Sequence, residues 1–474
     1  MHALHDTNIR ERIKEEVLAV YKKIQDSDFE VYFIGGCVRD ILMGKDVTDW
    51  DLTTNATPEK IQTLFPDSFY DNKFGTVGVP FKNTETGANL DTKNYIEVTT
   101  FRTEKGYGDK RHPEIVQWGK SLEEDVARRD FTINSIAFEL KFSNSAYDIK
   151  IIDYFNGQED IKNKIIKTVG NPYARFKEDA LRLIRAIRFA SKLGFMIEPE
   201  TWKAIMEDAP LIKFISNERI RDELLKTLES ENAYNGIQML DKSGLLQFII
   251  PELIKGKGLS QERPGRHHKS DVFTHSLLSL KHVPSKDPII RLAALLHDVG
   301  KPETASLDQD RLITFHNHEV IGAKMASQIA DRLKLSKKQK GKIYTLIRWH
   351  MFSIDDKITD SAIRRFIRRV GFENVKDIID LRIGDRLGSG VEKAESWRLK
   401  KFKERVEKEL HPPFSMNDLA VDGHDIMREL NITPGPKIGK ILSKLFEEAE
   451  EDLSKNNREH LLKRVKDLAI EIKD

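Results

Sequence analysis

Over residues 1–165, short apolar bursts at period two stand between segments of helical spacing, the pattern of an α/β arrangement. EVYFI at 30–34, FGTVGVPF at 74–81 and NYIEVTTF at 94–101 are rich in β-branched and aromatic residues and are flanked by turn formers, so each predicts a strand. From about Pro172 the period changes. EDALRLIRAIRFASKL, DPIIRLAALLHDV and VIGAKMASQIADRL set apolar residues at helical spacing, broken by Gly and Pro, and predict an almost wholly helical remainder. Breaks are expected near Gly170–Pro172, in the polar stretch Gly256–Ser270 and near His411–Pro413. There is no short internal repeat, low-complexity tract or Gly/Ser linker.

At 474 residues the chain is too long for one ordinary domain of ~100–200 residues. A 39% hydrophobic content supplies substantial cores, while 32% charged residues exclude a mostly buried membrane protein. The opening MHALHDTNIRERIKEE has no apolar core of a secretory signal, and Cys37 is the single cysteine. The expectation is a cytoplasmic protein with no intrachain disulfide and no membrane partner. A net charge of +2 says nothing about a polyanionic partner. Distribution says more: basic clusters occur at Lys334–Lys342, at Arg364, Arg365, Arg368 and Arg369, and at Arg398–Lys408. One such run is commonly a solvated helix face, but several in one helical half point toward a nucleic-acid surface.

The sharpest local pattern is Gly35-Gly36-Cys37-Val38-Arg39-Asp40 directly after the apolar run Val31–Ile34. Two glycines at a strand-to-helix turn allow close backbone approach, the free N–H groups suit a phosphate, and Arg39 adds a fork of donors. Alone, a glycine pair is commonly just a tight turn. Two nearby acids change the picture: Asp49 and Asp51 alternate in a strand-like stretch, which would put both carboxylates on one face as oxygen ligands for Mg²⁺. Asp308 and Asp310 have the same spacing but lie in loop-like sequence with no glycine turn nearby. Glu97 is a third acidic candidate, on a strand that can pair beside Asp49 and Asp51; it can equally be an arginine's partner.

GGCVRDILMGKDVTDWDLTT resembles the nucleotidyltransferase motif of class II tRNA nucleotidyltransferases, the CCA-adding enzymes, and of the related bacterial poly(A) polymerases. SLEEDVARRDFTINSIA at 121–137 and EDALRLIRAIRFASKLGF at 178–195 resemble that family's next two signatures, in the same order. The likeness implies a cation pair at Asp49 and Asp51 that lowers the pKa of an RNA 3′-hydroxyl and supports departing pyrophosphate, with no protein nucleophile. Asp179 and Arg182, three apart on a predicted helix, would set an acceptor beside a fork of donors. Cytosine and adenine both show an amino donor next to an unprotonated ring nitrogen, whereas uracil and guanine reverse that polarity. The resemblance places Arg185 and Arg188 toward the nucleotide and gives Arg129 a triphosphate or ribose contact, with Arg128, Asp130 and Asn134 close by. In that family a full-length connection such as that from Phe101 to Asp130 accompanies addition of the terminal A. The stretch FGTVGVPFKNTETGANL lacks the basic, His-containing character usual in bacterial poly(A) polymerases.

The helical half carries a second constellation: His275, His297, Asp298, His318, His350 and Asp385. With LAALLHDVGKP, DVFTHSLLSL, FHNHEVIGAKMA and GDRLG around them, they resemble an HD phosphohydrolase domain. The resemblance makes His275, His297, Asp298 and Asp385 ligands of a divalent metal, a transition metal or Mg²⁺, with His318 and His350 as additional histidines. Two readings stay open: an occupied metal site, or a helical scaffold in which these residues hydrogen-bond to one another. GPKIG at 435–439 is either a helix start that meets an RNA phosphate or a turn between packed helices.

The expectation is therefore an α+β chain: an α/β head with a small mixed sheet at 1–165, then an all-α neck at 166–255, an HD body at 256–410 and a tail at 411–474. The expected activity is template-independent addition or repair of the 3′-terminal CCA of tRNA from CTP and ATP, with Mg²⁺. The alternatives are an A-adding enzyme or poly(A) polymerase of the same family, an HD phosphohydrolase, and a non-catalytic RNA-binding protein. Oligomeric state is left open.

Overall fold

The structure is a computed structural model describing residues 9–71, 75–80, 95–105, 115–119, 121–143, 146–262, 270–355, 357–391, 393, 396–410 and 416–472. The expected break near His411–Pro413 lies outside these residues, as do parts of the stretches 74–90, 101–130 and 256–270. The chain divides into two compact units, Met1–Ile254 and Lys255–Asp474.

The first unit is built on a mixed sheet. Its strands are β1 (Val31–Ile34), β2 (Trp50–Thr54), β3 (Phe69–Asp71), β4 (Thr76–Pro80), β5 (Tyr95–Thr100), β8 (Ile136–Ser143) and β9 (Ala146–Asp153), while β6 (Arg102–Lys105) and β7 (Ile115–Trp118) form a separate hairpin. The order is β3-β4-β5-β2-β1-β8-β9, antiparallel except for the parallel pair β2 and β5. All three sequence-predicted strands are present, and with seven strands the sheet is larger than the small one expected.

The strand period fixes what each face does. In β2, Trp50 and Leu52 enter the core; in β5, Ile96 and Val98 do the same, so Asp51 and Glu97 take the opposite face. Tyr21, from the helix Glu15–Gln25, anchors that core by donating its hydroxyl to the Val31 carbonyl at 2.7 Å and accepting from the Leu140 N–H at 2.9 Å. A tight contact lies at Gly157, where a Cβ would stand 2.2 Å from the Thr132 carbonyl oxygen. Gly157→Ala is therefore expected to cost about 1–3 kcal/mol by overpacking, read as a thermal midpoint several degrees lower. An unchanged midpoint would contradict that contact.

Beyond the sheet the first unit is helical. Pro172–Glu178 and Leu181–Leu193 are separate helices joined at Asp179 and Ala180, followed by Pro199–Asp208, Asn217–Glu229 and Ala233–Lys242. The only strand pair among the described residues of this part is Ile165–Ile166 with Met196–Ile197.

Among the described residues the second unit is helical apart from the hairpin Ala305–Leu307 and Ile313–Phe315 and a single bridge between Ser260 and Asp271. Asp308 and Asp310 lie in the turn of that hairpin, where the Asp308 carboxylate accepts from the Asp310 and Leu312 N–H groups, so Asp308 serves the turn. One apolar cluster joins Ile363, Ile367, Val375, Phe402 and Val406; another joins Ile426, Ile441, Leu445, Leu461 and Val465.

Candidate functional site

In the first unit one cavity of about 320 Å³ gathers Asp51, Glu97, Asp130 and Asp179 with Arg102, Arg128, Arg129, Arg182, Arg185 and Arg219. Asp51 and Glu97 are direct partners in the parallel pair β2 and β5. Gly35, at φ +81°, lets the chain turn from β1 into the helix Gly36–Leu42; a Cβ there would come within 3.1 Å of both Asp51 Oδ2 and Arg129 Nη1. One N–H of this turn, that of Gly36, donates to Asp51. The glycine pair thus supports the carboxylate directly, a role the phosphate-cradle reading did not include.

Burial and the neighbouring Glu97 push the Asp51 carboxyl up to about 7, against the pull of Arg129. A carboxyl so disfavoured as an anion, beside a second carboxylate, is a donor set suited to a hard divalent cation. Asp49 sits on a bend one residue before β2 and is exposed; it does not line the cavity. Among the described residues, the groups that bring three ligand atoms within 4.8 Å of one another are all in the second unit.

Behind Asp51 the thiol of Cys37 is fully buried and donates to the Ile34 carbonyl at 3.2 Å. Burial and nearby Asp51 push this thiol up to about 12. Thiol-directed labelling at pH 8 should be slow in the native chain and prompt in urea, because the thiolate is the reacting form; rapid native labelling would contradict this burial.

The arginine wall is held by buried acids. Asp125 accepts from Arg128 Nε at 3.1 Å, faces Arg129 Nη2 at 3.6 Å and receives the Thr53 hydroxyl at 3.3 Å. Asp130 accepts from Arg185 Nε at 2.9 Å, Asn134 Nδ2 at 3.2 Å and the Phe131 N–H at 2.8 Å. Burial would raise the Asp130 carboxyl, but Arg185 prevails and brings it down to about 2.

The expected helical pairing of Asp179 with Arg182 is corrected. The helix is interrupted at Asp179, whose Oδ1 accepts from the Leu181 N–H at 3.0 Å, opening the next helix. Arg219, from the helix Asn217–Glu229, grips the same carboxylate at 3.3 and 2.8 Å. Arg182 turns to Glu178 at 2.8 Å and to the Arg128 carbonyl at 2.8 Å. Both residues still line the cavity.

Arg39 and Arg188 lie off it. Arg39 is buried and donates to Asn134 at 2.7 Å and to Asp40, whereas Arg188 faces Glu223 at 2.5 Å and covers the Phe189 ring at 3.9 Å. Sequence reasoning missed Arg102, Arg219 and the hub Asp125. An aspartate just ahead of an apolar helical run was an available sign that Asp179 opens a helix.

In the second unit His275, His297, Asp298, His350 and Asp385 converge, with His318 beside them. His275 Nε2 is 3.1 Å from Asp385 Oδ1 and 3.2 Å from His297 Nε2; His297 Nε2 is 3.2 Å from Asp298 Oδ2. His297, His318 and His350 each direct Nδ1 to a carbonyl three residues earlier, of Ala294, Phe315 and Ile347, at 2.8, 2.8 and 2.7 Å. With Nδ1 as donor, each Nε2 of a neutral ring carries a lone pair toward the carboxylates, an arrangement that suits a cation at their meeting point. Burial pushes His350 down to about 3, with charge on His297 as the next cause. In the scaffold reading a charged His297, favoured by Asp298 against burial, would donate Nε2–H to that carboxylate at 3.2 Å.

Several members of the basic clusters are held in internal pairs. Arg364 meets Glu409 at 3.0 Å, Arg368 meets Glu450 at 3.1 Å, Arg365 meets Glu451 at 3.5 Å and Lys342 meets Asp377 at 2.8 Å. A count of basic residues therefore overstates the charge free for a polyanion.

The chain matches the family profile of a poly(A) polymerase head domain over residues 31–167, that of a probable RNA and SrmB-binding site of polymerase A over 194–256, and that of an HD domain over 272–387. It is 43% identical over 237 residues to the CCA-adding enzyme of Limosilactobacillus reuteri, 50% of this chain and 55% of that protein. It is 38% identical over 301 residues to the CCA-adding enzyme of Lactobacillus helveticus, 63% of this chain and 71% of that one. The crystal structure of the Bacillus stearothermophilus CCA-adding enzyme in complex with CTP superposes with a TM-score of 0.71 at 26% identity, covering 97% of this chain and 99% of that one. The alignment spans about half the length of the first curated relatives it matches. With an acid pair and an arginine wall in one cavity of the first unit, and 38% identity that extends over 71% of one such protein, the chain belongs to the family of CCA-adding enzymes.

Proposed function

We propose that the chain is a template-independent nucleotidyltransferase that adds or repairs the 3′-terminal CCA of tRNA from CTP and ATP. The observation that carries this reading is one cavity in which an in-register Asp51–Glu97 pair faces six arginines and the Arg219-held carboxylate of Asp179. Its fold neighbour bound to CTP supports the nucleotide.

Asp51 and Glu97 would hold Mg²⁺, joined by Asp49, which lies off the cavity but whose charge acts on Asp51. Such a cation supplies a lowered pKa for the RNA 3′-hydroxyl and charge neutralisation on departing pyrophosphate. The protein's own groups do the rest. Arg129 and Arg128, fixed by Asp125, and Arg185, fixed by Asp130, are set to neutralise a triphosphate in a site where positioning does most of the catalysis. Asp179 offers the acceptor for the amino group of cytosine or adenine, and Arg182, held by Glu178 and the Arg128 carbonyl, offers its remaining N–H groups to the ring nitrogen. Uracil and guanine would leave these groups unpaired. Arg39 and Arg188 act as supports beneath the site, through Asn134 and Glu223.

We assign residues 1–165 to the head, 166–255 to the neck, 256–410 to the body and 411–474 to the tail, with tRNA held on the helical parts by shape and backbone. The separate apolar clusters of the second unit support the last division. No helix among the described residues is long and apolar enough to cross a membrane, and a lone buried Cys37 fits a cytoplasmic setting. The histidine–aspartate centre we read as a second divalent-cation site, of a transition metal by its imidazole content.

The test is a tRNA transcript ending before CCA, offered CTP alone or ATP alone. Addition of C from CTP supports the assignment; addition only of A moves the chain to an A-adding enzyme or a poly(A) polymerase. For the second centre, His297→Ala with Asp298→Ala is expected to remove one bound Mn²⁺ per chain, measured by elemental analysis after desalting. Retained metal in a variant with an unchanged circular dichroism spectrum would contradict the site.

A further inference from the structure

The cavity of the first unit, about 320 Å³, is at the small end of the ~300–1,000 Å³ usual for small-molecule sites, so it has room for one nucleotide. A second reactant has to reach Asp51 and Glu97 across the rim. Strand register sets one side of that rim. Asp51 pairs with Glu97, Glu97 with Gly78 and Gly78 with Phe69, so the row of the two acids runs on to the edge strand β3. Residues paired in this way share a face of the sheet, each ~4.8 Å from the next.

Phe69 does not point away from the acids. A Cβ at Gly78 would overlap the Phe69 ring, so the ring leans from β3 back across β4 and stands one strand from Glu97. Tyr95, two residues before Glu97 on the same face, meets it edge-on with ring centres 5.2 Å apart. A second ring comes from the hairpin. Trp118 is the direct partner of the cavity-lining Arg102, so these two side chains share a face as well. Its indole lies on Gly75, beside the cavity-lining Thr76, where a Cβ would stand 2.6 Å from Cζ3. Rings laid on glycines shield the backbone, but that task needs no open face, and Phe69 and Trp118 are 46% and 43% exposed. Flat apolar faces next to acids that serve phosphoryl transfer are what an unpaired nucleobase stacks on.

We propose that Phe69 and Trp118 form a stacking platform for the unpaired 3′-terminal bases of the RNA acceptor, which brings its 3′-hydroxyl to Asp51 and Glu97 while the incoming nucleotide fills the arginine-walled cavity. The proposal rests on the reading of the chain as a nucleotidyltransferase that acts on RNA ends.

The test measures binding of the full chain, by fluorescence anisotropy at one fixed salt concentration, to a tRNA transcript that ends just before CCA and to the same transcript with an abasic last nucleotide. Phe69→Leu and Trp118→Leu keep an apolar cover on Gly78 and Gly75 but lose the flat face. Each is expected to raise the Kd for the intact transcript about tenfold, whereas Phe69→Tyr, which keeps the ring, holds the wild-type value. Removing the last base is expected to cost the wild type about tenfold and the double variant Phe69→Leu with Trp118→Leu nothing further. In nucleotide addition the KM for the transcript should rise with its Kd while the KM for CTP stays level. An equal Kd in wild type and both Leu variants overturns the platform. So does weaker binding in which the last base still matters as much as in the wild type, a result that makes the rings supports of the sheet edge. If the rings instead cover a second copy of this chain, the wild type sediments as a dimer, the double variant as a monomer, and both bind the transcript alike, which also overturns it. If base-dependent binding follows the rings but the wild type adds no nucleotide, the platform stands and the fault lies in the nucleotidyltransferase reading.

Discussion

Asp51→Asn is expected to lower nucleotide incorporation by about 10³-fold or more, several kcal/mol of transition-state stabilisation, while the thermal midpoint at pH 8 stays level or rises. The two halves of that result have one cause. Asp51 is pushed up to about 7 by burial and then by Glu97, so ionising it works against the fold. Its contribution to stability is complete below the unfolded carboxyl range near ~4 and is lost as pH rises through about 7. An amide removes that cost, and removes with it the oxygen anion the cation requires. Mg²⁺ should accordingly raise the midpoint of the wild type more than that of Asp51→Asn, measured by differential scanning fluorimetry at pH 8. A destabilised variant, or one that still incorporates nucleotide, would contradict the role given to Asp51.

Asp179→Ala is expected to erode the preference for CTP and ATP over UTP and GTP by about 10²-fold, from the loss of one or two contacts worth ~1–3 kcal/mol each. The effect should appear in kcat/KM ratios between competing nucleotides. Arg219→Lys should give a smaller shift in the same direction, because a point charge does not replace the two-point grip at 3.3 and 2.8 Å. Equal loss of rate for all four nucleotides would mean that Asp179 supports the fold and does not read the base.

The sheet was legible because period two states which residues are buried, and Asp51 and Glu97 could be paired once their strands were seen as neighbours. The same pattern could not reveal Arg219, which reaches Asp179 across 40 residues of sequence from another helix. Asp125 was hidden for a related reason: it is buried beneath three arginines, and nothing in a local stretch distinguishes it from the exposed acids Glu123 and Glu124 on the same turn. Spacing misled at Asp179 and Arg182, where a helix was assumed to run through a residue whose side chain opens one. Arg39 and Arg188 have the right charge, but burial commits them to Asn134 and Glu223. In the second unit His275, His297, Asp298 and Asp385 were legible from their surroundings.

The most direct measurement is sequencing of tRNA 3′ ends after incubating a transcript that lacks CCA with the full chain, Mg²⁺ and all four nucleoside triphosphates, alongside Asp51→Asn. The account predicts C, C and A in order and then a stop, with unextended ends for the variant. Ends extended by U or G, long A tracts, or the same extension by Asp51→Asn would contradict it.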